Sequence, residues 1–230
     1  MNADYTFRAQ WLAPKLPLTM LNHFDLTLQS GERDISPGSD AAELCLVQFL
    51  EQLELPQLRS LSLRWLVAPE EGERHWSEVH PRFISILSSV APTLRSLSVA
   101  YLPLTDEQAL ECLMQLHCLS HLDLRFSLVD REHDPITDVF LEACTPRLDK
   151  SSPTILPLLE AVYLQCNGAQ HSATQVVDLI QSRWMSIWGS VHLRSFSLIS
   201  MKPVSAHTRQ RMKKWSEEGL EVFLDQVDIR

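Results

Sequence analysis

The amino-acid sequence predicts an α/β fold, a parallel sheet on one side and helices on the other, built by repeating one strand–helix unit along the chain. Two observations carry this expectation. Leucine makes up roughly one residue in six, about twice ordinary usage. In addition, one pattern recurs: an apolar residue, two variable positions, an apolar residue, one variable position, an apolar residue. It stands at Leu21-Asn-His-Phe24-Asp-Leu26, Leu58-Arg-Ser-Leu61-Ser-Leu63, Leu94-Arg-Ser-Leu97-Ser-Val99 and Leu119-Ser-His-Leu122-Asp-Leu124. It returns at Leu159-Glu-Ala-Val162-Tyr-Leu164 and Leu193-Arg-Ser-Phe196-Ser-Leu198, with a degenerate last copy at Leu220-Glu-Val222-Phe-Leu224. One match is weak evidence; a series in register along one chain is strong.

The central positions lie 37, 36, 25, 40, 34 and 26 residues apart. Most of these intervals exceed the about 20–29 residues of an ordinary leucine-rich repeat, so longer helices and loops must separate the strands. The expected architecture is a leucine-rich-repeat solenoid, a ribonuclease-inhibitor-like horseshoe arc with its parallel sheet concave and its helices convex. Residues 1–230 form a single domain of about six or seven irregular repeats. Residues 1–20, with Trp11, Leu12, Leu16 and Leu18, read as the remnant of a preceding repeat or cap.

The segments between the copies carry helix signals in order. Asp40 with Glu43 opens an apolar face of Leu46, Phe49, Leu50 and Leu53; Phe83, Ile84, Leu87 and Val90 mark the next helix. Thr105 and Gln108 form a capping box ahead of Ala109, Leu110, Leu113 and Met114. Asp134-Pro135 places a proline where a first helical turn tolerates it, before Ile136, Val139, Phe140 and Ala143. Ser172 with Gln175 begins a helix bearing Val176, Val177, Ile180, Trp184, Ile187 and Trp188. Ser205 to Glu218 is the last, ended by Gly219. The stretches Pro69–Arg74 and Arg147–Pro157 read as loops. Alternation of strand and helix at this period implies parallel strands joined by helical crossovers.

Composition narrows the function classes. A formal net charge of −9 disfavours nucleic acid as a partner, because phosphate contacts need clustered Lys and Arg. It favours a partner with a basic face, and it also keeps the surface soluble. No apolar run reaches the roughly 18 residues of a membrane span, so no membrane partner is expected. The N-terminus lacks a basic region followed by an apolar core. The five cysteines are odd in number and irregularly spaced. These features point to free thiols in the cytoplasm or nucleus.

No catalytic residue, cofactor or metal is expected. Phosphate-loop, dinucleotide and zincin motifs are missing. The spacing of Cys112, His117, Cys118 and His121 fits no compact zinc ligand set. His171-Ser172 with Asp178, or Ser120-His121-Asp123, lacks the nucleophile elbow of a hydrolase. The chain is read as a non-enzyme. Arg209, Arg211, Lys213 and Lys214 make a basic helix, either a solvated face or a local contact for an acidic partner.

The variable strand positions face outward from the sheet, and they place a protein partner on the concave face. They are His23 and Asp25, then Ser60, Ser62 and Arg64, Ser96 and Ser98, then His121, Asp123 and Arg125, Tyr163 and Gln165, and finally Ser195 and Ser197. Just past the strands stand Trp65, Tyr101 and Phe126. Aromatics and arginine dominate binding hot spots. The candidate partner-binding residues are therefore Arg64, Trp65, Tyr101, His121, Asp123, Arg125, Phe126, Tyr163 and Gln165. The three aromatics past the strands have an alternative fate, folding under the following loop as core.

Proline-leucine entries into LRSLSL-type strands, long irregular repeats and the ending Glu218-Gly219-Leu220-Glu221-Val222 resemble the C-terminal part of fungal F-box/leucine-rich-repeat proteins, over roughly Leu16 to Leu224. The resemblance implies the substrate-recognition region of a cullin-RING ubiquitin-ligase receptor. In that family an N-terminal F-box docks on a Skp-type adaptor and the repeats recruit the protein to be ubiquitinated. An F-box occupies about 40–50 residues ahead of the repeats, small even for a domain. Only about twenty residues precede the first copy here, so the resemblance implies adaptor docking only through an F-box upstream of this chain. The alternative is a leucine-rich-repeat scaffold or sensor segment with no ubiquitin role. A small-GTPase activator is disfavoured, because those proteins keep regular repeats with a recurrent Asn, and here only Asn167 falls in that position.

Overall fold

Each copy of the apolar pattern is one strand of a single parallel sheet in a computed structural model, which describes residues 15–29, 42–66, 76–146, 154–185 and 191–227. The seven strands are β2 (His23–Gln29), β4 (Ser60–Leu66), β5 (Ser96–Ala100), β6 (His121–Arg125), β7 (Ala161–Cys166), β8 (Ser195–Ser200) and β9 (Glu221–Gln226). They pair strictly in chain order, every pair parallel. A short parallel pair, β1 (Leu16–Pro17) with β3 (Leu53–Glu54), forms a second small sheet that the sequence pattern does not announce.

Register follows the leucine pattern without slippage. Phe24, Leu61, Leu97, Leu122, Val162, Phe196 and Val222 form one row across the sheet, and Leu26, Leu63, Val99, Leu124, Leu164, Leu198 and Leu224 the next. The junction before each strand repeats as well. The Asn22, Arg59, Arg95, Ser120 and Glu160 carbonyls each accept two consecutive N–H groups from the start of the following strand. A leucine three residues ahead of the motif extends it by one turn: the N–H of Leu58 bonds to the Leu55 carbonyl, that of Leu119 to Leu116, and that of Leu159 to Leu156.

Helices fill the intervals: α1 (Ala42–Glu51), α2 (Trp76–Val90), α3 (Asp106–Met114), α4 (Asp138–Cys144), α5 (Ala173–Trp184) and α6 (Ala206–Glu217). The Thr105–Gln108 capping box forms with both hydrogen bonds, and Ser172 and Ser205 cap α5 and α6. Helix α4 departs from expectation. It starts at Asp138 behind the cap Thr137, leaving Asp134-Pro135 in the preceding loop. Phe49, Met114 and Val139, expected on buried faces, are largely exposed, and Leu53 lies in β3. Asp40, Ile187, Trp188, the run at 69–74 and the stretch 147–153 lie outside the described residues, as do Trp11 and Leu12.

Burial shows why the layers separate. In β4 to β8 the leucine-row residues are buried and most of their neighbours only half so. A parallel sheet covered on both faces would be buried at every position. Here one face carries the core, shared with the inner faces of the helices, and the other is open. Successive helices are also joined by polar bonds. Arg82 Nε donates to Glu51 Oε1 at 2.8 Å and Gln108 Nε2 to Ser77 Oγ at 3.1 Å. Thr137 Oγ1 donates to Asp106 Oδ2 at 2.9 Å, the Ser172 N–H to Asp138 Oδ1 at 2.6 Å, and Arg211 Nη2 to Gln181 Oε1. Sequential strands with sequential helices are compatible with a solenoid-like arrangement.

Candidate functional site

The open face is a set of three rows fixed by the strand register. The first runs His23, Ser60, Ser96, His121, Ala161, Ser195, Glu221; the second runs Asp25, Ser62, Ser98, Asp123, Tyr163, Ser197, Phe223. The third is Thr27, Arg64, Ala100, Arg125, Gln165, Ile199, Asp225. Small serines on β4 and β5 give way to large polar and aromatic side chains on β6 and β7. Chemistry is thus concentrated near the middle of the sheet.

Arg125 is the centre of that concentration. Its Nε and Nη2 donate to Asp123 at 2.9 and 2.8 Å, and its guanidinium carbon lies 4.6 Å from the Tyr163 ring centroid. Asp123 also accepts from Ser98 Oγ at 3.1 Å. The hydrogen bond to Asp123 raises the Arg125 pKa further, so the side chain is charged throughout the working range. Burial raises the Tyr163 pKa, with Arg125 pulling the other way. Gln165 Nε2 donates to the Phe126 carbonyl at 3.2 Å and lies 3.3 Å from Tyr101 Oη.

Of the residues expected to meet a partner, Tyr101, Asp123, Arg125, Tyr163 and Gln165 form one connected group. Arg64 is exposed in the row of Arg125, with Ala100 between them, which separates the two arginines by roughly 10 Å at ~4.8 Å per strand. His121 is exposed, its Nδ1 2.8 Å from Ser120 Oγ, while Asp123 is engaged by Arg125 and Ser98. Trp65 and Phe126 take the core alternative, at 6% and 4% exposure. Trp65 continues the inward alternation of β4, and a side chain two places beyond Leu63 must face the same way. Neither lies on the open surface.

Tyr101 differs from both. Its φ of 64° is left-handed, a conformation that costs a non-glycine residue about 1 kcal/mol or more. The break in alternation turns its ring out to 39% exposure, and its N–H donates to the Arg125 carbonyl at 2.6 Å. Strain of this kind is retained only where surrounding structure enforces it.

Two supporting groups have partners that the sequence reading does not assign. The Asp134 carboxylate, buried, accepts from the Ile136 and Gly168 N–H groups at 3.1 and 2.9 Å. Burial raises its pKa and the backbone donors counter that rise. Asn167 Nδ2 donates to the Leu128 carbonyl. Together they fasten the loop after β6 to the loop after β7, alongside Arg125 and Gln165. An Asp-Pro pair was visible in the sequence, but its partner Gly168 lies 34 residues away, where no local pattern points.

No family model, curated protein or solved structure matches this chain. Its candidate site rests on its own groups. Among the described residues no three His, Cys, Asp or Glu side chains come together to hold a metal, and no helix is long and apolar enough to cross a membrane. Burial pushes the Cys112 and Cys144 thiols up to about 12 and raises Cys166 too, so these sulfurs stay protonated and unreactive at neutral pH. What the open face offers is a cation held by Asp123, aromatic surface and hydrogen-bonding groups on one continuous sheet. That equipment suits recognition.

Proposed function

We propose that the chain is a leucine-rich-repeat solenoid and a protein–protein interaction module, which holds its partner on the concave open face around Arg125 and Tyr163. One observation carries the reading: Ser98, Asp123, Arg125 and Tyr163, from three neighbouring strands, hold one another in place on the open face. A pre-ordered arginine, a half-buried Tyr163 and an exposed Tyr101 lose little freedom on binding, which is how hot spots gain affinity from a small area. The leucine rows and the repeated junctions support the repeat architecture.

The finer reading is the substrate-recognition region of an F-box-type ubiquitin-ligase receptor, supported by the resemblance of the strand entries and the C-terminal ending. The test compares affinity purification of the wild-type chain with an Arg64→Ala/Arg125→Ala variant of equal melting temperature. Loss of a specific protein from the variant is the expected result. Identical captured sets would end the concave-face reading. Recovery of a Skp-type adaptor with the protein expressed from its full gene supports the ligase role; capture of the same partner without the adaptor favours a scaffold or sensor.

A further inference from the structure

The helical layer carries a second surface with its own chemistry. Helix α6 presents Arg209, Arg211, Lys213 and Lys214 against a single acid, Glu217, in a chain whose formal charge is −9. An open depression along it is lined by His207, Gln210, Arg211, Lys213, Lys214 and Glu217. Arg211 is held in place by Gln181 Oε1 and lies 5.4 Å from the Trp215 ring centroid. Lys214 reaches Glu218 at 3.8 Å, a loose contact, while Arg209 and Lys213 have no side-chain partner among the described residues. Arg209 and Lys213 stand four residues apart, on one side of the helix.

We infer that the exposed face of α6 docks a short acidic peptide segment of a protein partner. Three arguments fix the occupant. A polyanion such as duplex DNA needs a long basic track, which the four cations of one twelve-residue helix do not supply. The helix is only about 18 Å long at 1.5 Å per residue, the span of about five or six extended residues. A second copy of this chain is a poorer source of acids: most carboxylates of its other helices are already engaged, and Glu43, Glu107 and Asp178, without a side-chain partner among the described residues, stand on three different helices. Glu51 pairs with Arg82, Glu111 with His80, Asp106 with Thr137 and Asp138 with the Ser172 N–H. Glu142 has its own contact as well. The partner must bring free carboxylates.

The test is fluorescence anisotropy of a labelled hexaglutamate peptide with the whole chain at about 50 mM salt. Saturable binding is expected, weakening as salt rises. Arg209→Gln/Lys213→Gln should weaken it roughly tenfold or more, and Arg209→Glu/Lys213→Glu should abolish it, both with an unchanged melting temperature because the side chains are exposed. Arg125→Ala should leave peptide binding intact, which separates this surface from the open sheet face. The inference is overturned if the wild type shows no saturable binding, or if the glutamine variant binds equally well. It is also overturned if an oligonucleotide of equal charge binds more tightly than the peptide, or if sedimentation shows a dimer that the glutamate variant dissolves.

Discussion

The guanidinium of Arg125 stacks on the ring of Tyr163 on the next strand, 4.6 Å from its centroid, while Asp123 grips the same guanidinium from within its own strand. The geometry links three strands, since Ser98, on the strand at the other side, donates to Asp123. An ion pair this exposed contributes little to folding on its own. Its value lies in holding a cation and an aromatic plane in one orientation at the surface.

Replacing Arg125 with alanine should therefore separate binding from stability. The urea midpoint should imply a loss of about 1 kcal/mol or less, discounted for solvent screening. Affinity for the captured partner should fall by roughly 2 kcal/mol, about thirtyfold, as for a hot-spot arginine. Arg125→Lys should recover only part of it, because an ammonium cannot both fork onto Asp123 and lie flat on Tyr163. Equal affinities across all three proteins would remove Arg125 from the interface.

The strand positions and the outward-facing residues were legible because leucine spacing sets both register and face in one stroke: Leu61 in, Ser62 out, Leu63 in. The same rule decides between the two fates open to Trp65, which follows Leu63 by two places and so faces the core. Tyr101 was found for its residue type, but not for its left-handed backbone, which no alternation pattern encodes. The partners of Asp134 and Arg183 were missed for a different reason. They are backbone groups brought close only by stacking one unit on another, and a local reading has no access to such contacts.

Arg183 illustrates the energetic scale of those contacts. Buried at 4% exposure in α5, it donates to the Cys144 carbonyl through Nε at 3.0 Å, to Leu156 at 3.0 Å and to Ile155 at 2.8 Å. It thus satisfies the C-terminal end of α4 and the turn before β7. Burial lowers its pKa to about 10, still charged at neutral pH. Arg183→Met would strand these carbonyls, so unfolding in urea should show a loss of about 3 kcal/mol or more. Arg194→Met, which removes the surface pair with Glu160 at 3.2 Å, should stay within about 0.5 kcal/mol. Similar losses for both would refute the bracing role of Arg183.

Gly168 and Gly219 both have positive φ, 87° and 110°, yet alanine should not affect them equally. A Cβ at Gly168 would meet Lys202 Cβ at 2.9 Å and Ser200 Cβ at 3.2 Å, whereas at Gly219 the nearest contact is Trp184 at 4.0 Å. Gly219→Ala should cost only backbone strain, about 1–2 kcal/mol. Gly168→Ala adds overpacking of about 1–3 kcal/mol, and its N–H bond to Asp134 would be disturbed as well. Thermal melts of the two variants should differ in that order; the reverse order would contradict the close approach at residue 168.

His171 gives the fold a pH dependence of definite sign. The ring is buried, its Nε2 lies 3.5 Å from Cys166 Sγ, and its Nδ1 has no hydrogen-bond partner among the described residues. Burial lowers its pKa below 6.5, and the nearby Lys202 ammonium, which donates to the His171 carbonyl at 2.5 Å, adds to the lowering. The Ser172 backbone and, more weakly, Asp138 act in the opposite sense but do not reverse it. The unfolded chain accepts a proton at His171 near pH 6.5 and the folded chain resists it, so between the lowered pKa and 6.5 the unfolded state binds more protons. Stability from this group is complete above 6.5 and falls as pH drops through that window. The melting temperature of the wild type should therefore decline more between about pH 7.5 and 5 than that of His171→Leu, which carries no proton and leaves no orphaned nitrogen. Parallel curves would mean that the folded protein accommodates the imidazolium as readily as water does.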